Sequence, residues 1–327
     1  MLTPKENFLE VHNGGKPERF VKQFEYFQMA MIPGLFGAFP EKEGDEVVDS
    51  WGVTTRWTPG VVNAFPVHDA EHKVVKDVTK WQDYIHNPSL VYPEEEWAAA
   101  MAEVDKIDRD QTFVSIMTFP GFFEHLHYMM GMNDALYYMA AEPDAIKGII
   151  NNYLEYQLER ADVIAPRVKP EIYSLSDDLG TMRNSFMSPA MFKEFFLEPY
   201  KTLFNRWREH GVELIYMHND SYSANLVPYF IEAGINIWQG VMTECHVPDL
   251  VKEFGGKITF MGDINSGIVD SPYMTEEIIA REVRRACSTN GKLYFVPCMT
   301  QAGPPTLYPD VDTLIDKYID VMSAEMF

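Results

Sequence analysis

From residue 112 onward the chain alternates regularly between short runs of β-branched and aromatic residues and longer segments of helical periodicity. The short runs are TFVSIMTF (112–119), EIYSLS (171–176), VELIYMHN (212–219), INIWQG (235–240), ITFMGDI (258–264) and KLYFVPC (292–298). Between them, segments such as NDALYYMAAEPDAIKGIINNYLEYQLERADVI, SPAMFKEFFLEPYKTLFNRWREHG and YMTEEIIAREVRRACSTNG repeat apolar residues at helical spacing. Strand, helix, strand in that order builds parallel pairs, because the crossover helix brings the next strand back in the same direction. The expected fold is therefore α/β: a (β/α)8 TIM-type barrel with an N-terminal helical and hairpin extension, with a doubly wound open sheet as the second choice. The first third is irregular, with a helix expected near 17–31, a hairpin at DSWGVTTRW and a charged helix around 93–108. No linker or repeat divides the chain, so residues 1–327 read as one domain.

Parallel barrels keep their chemistry at the carboxyl ends of the strands. There this chain places Asp177 and Asp178, then His218 and Asp220, then Gln239 and Glu244, then Asp263, and finally Cys298. His218, Asp220 and Cys298 offer imidazole, carboxylate and thiolate, a three-ligand set for zinc with one open position. Asp178 and Glu124 are candidates for proton transfer. Asp177, Tyr128, Met129, Gln239, Glu244 and Asp263 are candidates for substrate contact, the Met/Tyr-dense stretch around 128–139 serving as an adaptable apolar wall. The same residues also suit structural roles. A histidine after a strand can be a hydrogen-bonded support, Cys298 in VPCMT suits a core position, and Asp178 and Asp220 suit helix caps.

The charge balance narrows the partners. With 27 basic against 49 acidic side chains the net charge is −22, which disfavours nucleic acid and anionic membrane surfaces. No apolar stretch reaches the length of a membrane span, and three cysteines without paired spacing argue against a disulfide framework, so a cytoplasmic protein is expected. Neither a Gly-rich phosphate loop nor a GxSxG elbow is present.

Five stretches together resemble a known family: TPKENFLEVHNGGKPERF, GFFEHLHYMMGMNDALYYMAAEPDAIKGIINNYLEY, DDLGTMRNSFMSPAMFKEFFLEPYKTL, HNDSYSANLVPYFIEAGINIWQG and FMGDINSG. In content and order, over residues 3–322, they resemble the uroporphyrinogen decarboxylase superfamily. The likeness is greater to its corrinoid-dependent methyltransferase branch, the O-demethylase type of methyltransferase, than to the decarboxylase itself. The decarboxylase carries an Arg-rich N-terminal motif for a polycarboxylate; here the corresponding MIPGLFGAFPEKEGDE is acidic and lacks arginine. The branch holds zinc with a His-x-Cys pair and a distant Cys, which places His218 and Cys298 on the family's ligands and Asp220 where the first Cys stands. A carboxylate there hardens the metal and suits an oxygen-linked methyl group better than a thiol. The resemblance thus implies zinc, a corrinoid (cobalamin) carried by a separate corrinoid-binding protein, and a small methylated substrate such as a methoxylated aromatic. Two alternatives stay open: a metal-free decarboxylase, and a non-catalytic tetrapyrrole- or corrinoid-binding protein.

Overall fold

The structure, a computed structural model, describes residues 1–61, 63–301 and 306–327. Its strands are β1 (Phe27–Met29), β2 (Glu46–Val48), β3 (Thr54–Arg56), β4 (Phe65–Pro66), β5 (Phe113–Thr118), β6 (Ile172–Ser176), β7 (Leu214–His218), β8 (Ile237–Val241), β9 (Thr259–Ile264) and β10 (Phe295–Met299). All six expected runs became strands. They pair in parallel and in chain order, β5 to β10, and β1 joins as a seventh strand beside β5. The result is a (β/α)8-type barrel in which seven strands, not eight, share the ladder among the described residues.

The helix expected near 17–31 does not form. Phe20, Val21 and Tyr26 are buried from an irregular backbone, and Phe27–Met29 is consumed by the ladder to Phe113–Ser115. Helical propensity loses there to the hydrogen bonds that β5 offers. DSWGVTTRW supplies the turn and second strand of a hairpin whose first strand lies just before it: β2 and β3 pair antiparallel with Glu46 opposite Arg56, and β4 extends them to a three-stranded sheet. The charged helix runs Glu94–Val104.

Side chains alternate along the barrel strands. Leu214, Tyr216, Ile237, Val296 and Cys298 point into the barrel with Tyr26 and Met261, while Ile215, Met217, Trp238, Phe260 and Phe295 face the helices. The helix Pro4–Asn13 closes the amino end of the barrel, burying Phe8 and Val11 in the interior core. Its start is fixed by a capping box between Thr3 and Glu6. The carboxyl end stays open, and the chemistry-bearing residues gather there. No described helix is long and apolar enough to cross a membrane.

Candidate functional site

His218 is the last residue of β7 and continues the inward column of Leu214 and Tyr216. Its Nδ1 meets Oε1 of Gln239, the facing residue of β8. Gln239 is itself oriented, because its Nε2 donates to the carbonyls of Thr300 at 3.0 Å and Gln301 at 3.1 Å. Its Oε1 is therefore the acceptor and His218 Nδ1 the donor. That fixes the tautomer and leaves Nε2 with a free lone pair, the arrangement of a metal-ligating imidazole held by an outer partner.

Asp220 follows two residues later, and its N–H donates to Asp178 Oδ1 at 2.9 Å, joining the loop after β7 to the loop after β6. The turn passes close over Gly240, whose φ is +93° and whose missing Cβ would lie 2.8 Å from the Asn219 carbonyl oxygen and 2.9 Å from Asp220 Cα. Only glycine leaves room for that approach. One ligand atom each from Asp178, His218 and Asp220 lies within 4.8 Å of the others.

A third acidic element borders this group. The helix Phe122–Met130 begins at Gly121, and the carboxylate of Asp177 sits at its N-terminus, accepting the amides of Phe123 at 3.0 Å and Glu124 at 2.9 Å. Asp177 also accepts the Tyr200 hydroxyl. It is fully buried, and its carboxyl is pushed up to about 6 by burial, against the pull of those hydrogen bonds. The helix it anchors carries Glu124 to the group. Burial, then the charges of Asp178 and Asp177, raise the Glu124 carboxyl well above the usual range, and its Oε2 is buried without a partner. Burial and then Asp178 push Asp220 up to about 6.

These features fit a divalent cation. No Lys or Arg among the described residues pairs with Asp178, Asp220 or Glu124, so the carboxylates repel one another. An imidazole with two carboxylates is a borderline-to-hard donor set that suits zinc or a neighbouring first-row ion.

Glu124 and two members of the group, Asp178 and His218, line a cavity of about 1000 Å³. Its walls are aromatic, including Phe36, Trp51, Phe119, Tyr128 and Tyr156. Of the residues singled out from sequence, the structure brings together Asp178, His218, Asp220 and Glu124, and it puts Tyr128 in the wall. Cys298 is not in this group. It lies in the barrel interior beside Tyr26 and Tyr216, with the Gln239 amide next to its thiol, and burial pushes that thiol far above the usual range. Met129 packs in the outer core; Asp263 pairs with Arg285 at 3.0 Å and Asn290 at 2.6 Å; Glu244 is half-buried in a short turn. None of these three lines the cavity, nor do Asp177 and Gln239, which position their neighbours instead. Sequence reasoning missed Trp51, Phe36 and Arg160, which come from the irregular first third and from the middle of a long helix; no local pattern marks them.

The family model for uroporphyrinogen decarboxylase matches residues 69–296, well over half of the chain. The chain belongs to the uroporphyrinogen decarboxylase family. Among solved structures, a methyltransferase from Methanosarcina mazei superposes with a TM-score of 0.64 at 10% identity, covering 99% of each chain. At that identity the likeness is one of fold. A putative vitamin-B12-independent methionine synthase from Listeria monocytogenes overlays 75% of this chain and 73% of its own at 13% identity, with a TM-score of 0.42, too little for any conclusion. No curated protein sequence matches. The uroporphyrinogen decarboxylase family supplies the barrel, and the residues at its mouth decide the chemistry.

Proposed function

We propose that this member of the uroporphyrinogen decarboxylase family is a zinc-dependent methyltransferase. It moves a methyl group from a small methylated substrate, a methoxylated aromatic, to the cobalt of a corrinoid carried by a partner protein. The observation that carries this reading is the group of His218, Asp178 and Asp220, of which His218 and Asp178 line an aromatic-walled cavity. The Methanosarcina mazei methyltransferase, which spans the same barrel from end to end, supports it. So does the absence of an Arg-rich N-terminal motif for a polycarboxylate.

His218 Nε2, Asp178 and Asp220 would hold the zinc, with Gln239 fixing the imidazole. Bound there, zinc supplies Lewis acidity to the oxygen that carries the methyl group, which makes an alkoxide or phenoxide a better leaving group. The aromatic wall orients a flat ring toward His218 and Asp178. Glu124 is the proton donor for the leaving oxygen. Burial is the first cause of its raised pKa.

Zinc per chain, by elemental analysis of wild type and of His218→Ala, Asp220→Ala and Cys298→Ala, tests the ligand set. About one zinc in wild type and Cys298→Ala, and loss in the other two, is expected. Transfer from methoxybenzenes to cob(I)alamin is then followed by the absorbance change of the cobalt. Zinc-free wild-type protein, or undiminished transfer in His218→Ala, would overturn the reading.

A further inference from the structure

Arg160 projects from the middle of the helix Pro143–Val168 into the same cavity and is 6% exposed. It is the one Lys or Arg among the described residues that line this space. Its Nη2 donates to the carbonyls of Gly34 and Leu35, each at 2.8 Å. Those two bonds use both hydrogens of that nitrogen. Nε and Nη1, with three further N–H groups, meet no acceptor among the described residues, and no carboxylate pairs with the side chain. Asp49 also lines the cavity, but its Oδ1 accepts the amides of Trp51 and Val53, each at 2.9 Å. A guanidinium cannot shed its charge, and burying one without a counter-ion is costly. Such a group persists most readily where a ligand completes it.

We infer that Arg160 is the anion-reading end of the cavity and that the substrate is an aromatic carboxylate. The planar fork left free on Arg160 matches a carboxylate in bidentate fashion. Tyr156 and Trp51 line the space beside it, and the ring lies among the aromatic walls. One guanidinium serves one carboxylate, not a polyanion. In a chain of net charge −22 this local cation is what admits an anionic substrate at all. The orientation that follows, with the carboxylate at Arg160 and the methylated oxygen toward His218, rests on the methyl-transfer reading; the carboxylate subsite does not.

Calorimetric titration of the whole protein with 4-methoxybenzoate and with the uncharged, near-isosteric 4-methoxybenzamide tests the subsite. Wild type is expected to prefer the acid by about ten- to a hundredfold, the worth of a charge-assisted hydrogen-bonded pair. Arg160→Gln is expected to abolish that preference while holding the amide within about threefold of wild type, and Arg160→Lys to keep part of it. Equal binding of acid and amide by wild type overturns the inference, as does an unchanged preference in Arg160→Gln. If Arg160→Gln disturbs the 34–35 loop and loses both ligands, the wild-type ratio and Arg160→Lys still decide. The two readings fail separately. A carboxylate preference without methyl transfer sinks the proposed reaction and leaves the subsite standing, whereas demethylation of neutral methoxybenzenes as fast as of the acids does the reverse.

Discussion

The proposed role of His218 as a ligand depends on Gln239 holding its ring, and that dependence can be measured. Gln239→Leu removes the acceptor for Nδ1 and frees the tautomer, so zinc affinity in a competition titration should fall about 10–100-fold, with the fold intact by circular dichroism. Affinity unchanged within a factor of two would mean that the ring is oriented by something else. A second buried imidazole carries no such burden. His125 stacks on Tyr153 with centroids 3.8 Å apart and packs edge-on to Trp51; its Nε2 has no partner, and burial holds its pKa down at about 3. Because the folded value lies below the unfolded value of about 6.5, the unfolded chain takes up the proton first. Stability is then full above that unfolded value and is lost as pH falls toward 3, by about 2 kcal/mol at pH 5. The raised carboxyls of Asp177 and Asp220 act in the opposite sense over part of this window, so the comparison must be with a variant. His125→Phe should lose less stability than wild type between pH 7 and pH 5 in urea unfolding; identical pH slopes would contradict the burial argument. At this scale His218 and Asp220 were legible from sequence, as polar residues placed where a strand hands over to a loop. Cys298 was legible as a position but not as a role. β7 and β10 are buried on both faces, so no polar alternation in the sequence tells which residue meets the cavity. The pairing of Asp178 with Asp220 depends on how two loops meet, which neither loop encodes alone.

Between residues and barrel stands the helix Phe122–Met130, which is anchored less by its own sequence than by Asp177 from β6. A carboxylate at a helix N-terminus satisfies orphan amides and complements the dipole, and here it also sets where Glu124 emerges. The approach is so close that a Cβ on Gly121 would fall 2.3 Å from Asp177 Cβ and 2.4 Å from its Cγ. Gly121→Ala must therefore push the helix start away, at about 1–3 kcal/mol for such overpacking. Methyl transfer should drop with it, while zinc content is retained, since no proposed ligand lies on that helix. Normal melting temperature and rate in this variant would show that the helix start is not held as described. The six strand runs were readable because a parallel barrel strand needs a dense apolar run bounded by loops, a strong local signal. The segment near 17–31 misled because its apolar spacing fits a helix while its partner strand, β5, lies far along the chain. The cavity wall at residues 34–39, 49–51, 63–66, 88–89 and 91–92 escaped for the same reason, since loops gathered by tertiary contacts carry no period of their own.

For the whole molecule, the charge of −22 and the concentration of acids at the barrel mouth pose one electrostatic problem. Folding buries Glu124 and Asp220 beside Asp178, and burial first, then the charge of Asp178, raises the carboxyl pKa of both. In the unfolded chain the same groups are far apart and bind a metal poorly. A divalent ion that binds only the folded state therefore stabilises it by mass action, about 2.7 kcal/mol at a hundredfold excess over its dissociation constant. For a chain of this size that shift is on the order of a few degrees in melting temperature. Chelator-treated protein should melt lower, zinc should restore the difference, and magnesium should restore little, because it demands more oxygen ligands than this group offers. His218→Ala should respond to neither. An equal zinc shift in wild type and His218→Ala would place the ion elsewhere on this acidic surface. No shift at all would leave the carboxylates to relieve their repulsion by holding protons, and the barrel mouth would then have to do its chemistry as an acid rather than as a metal centre.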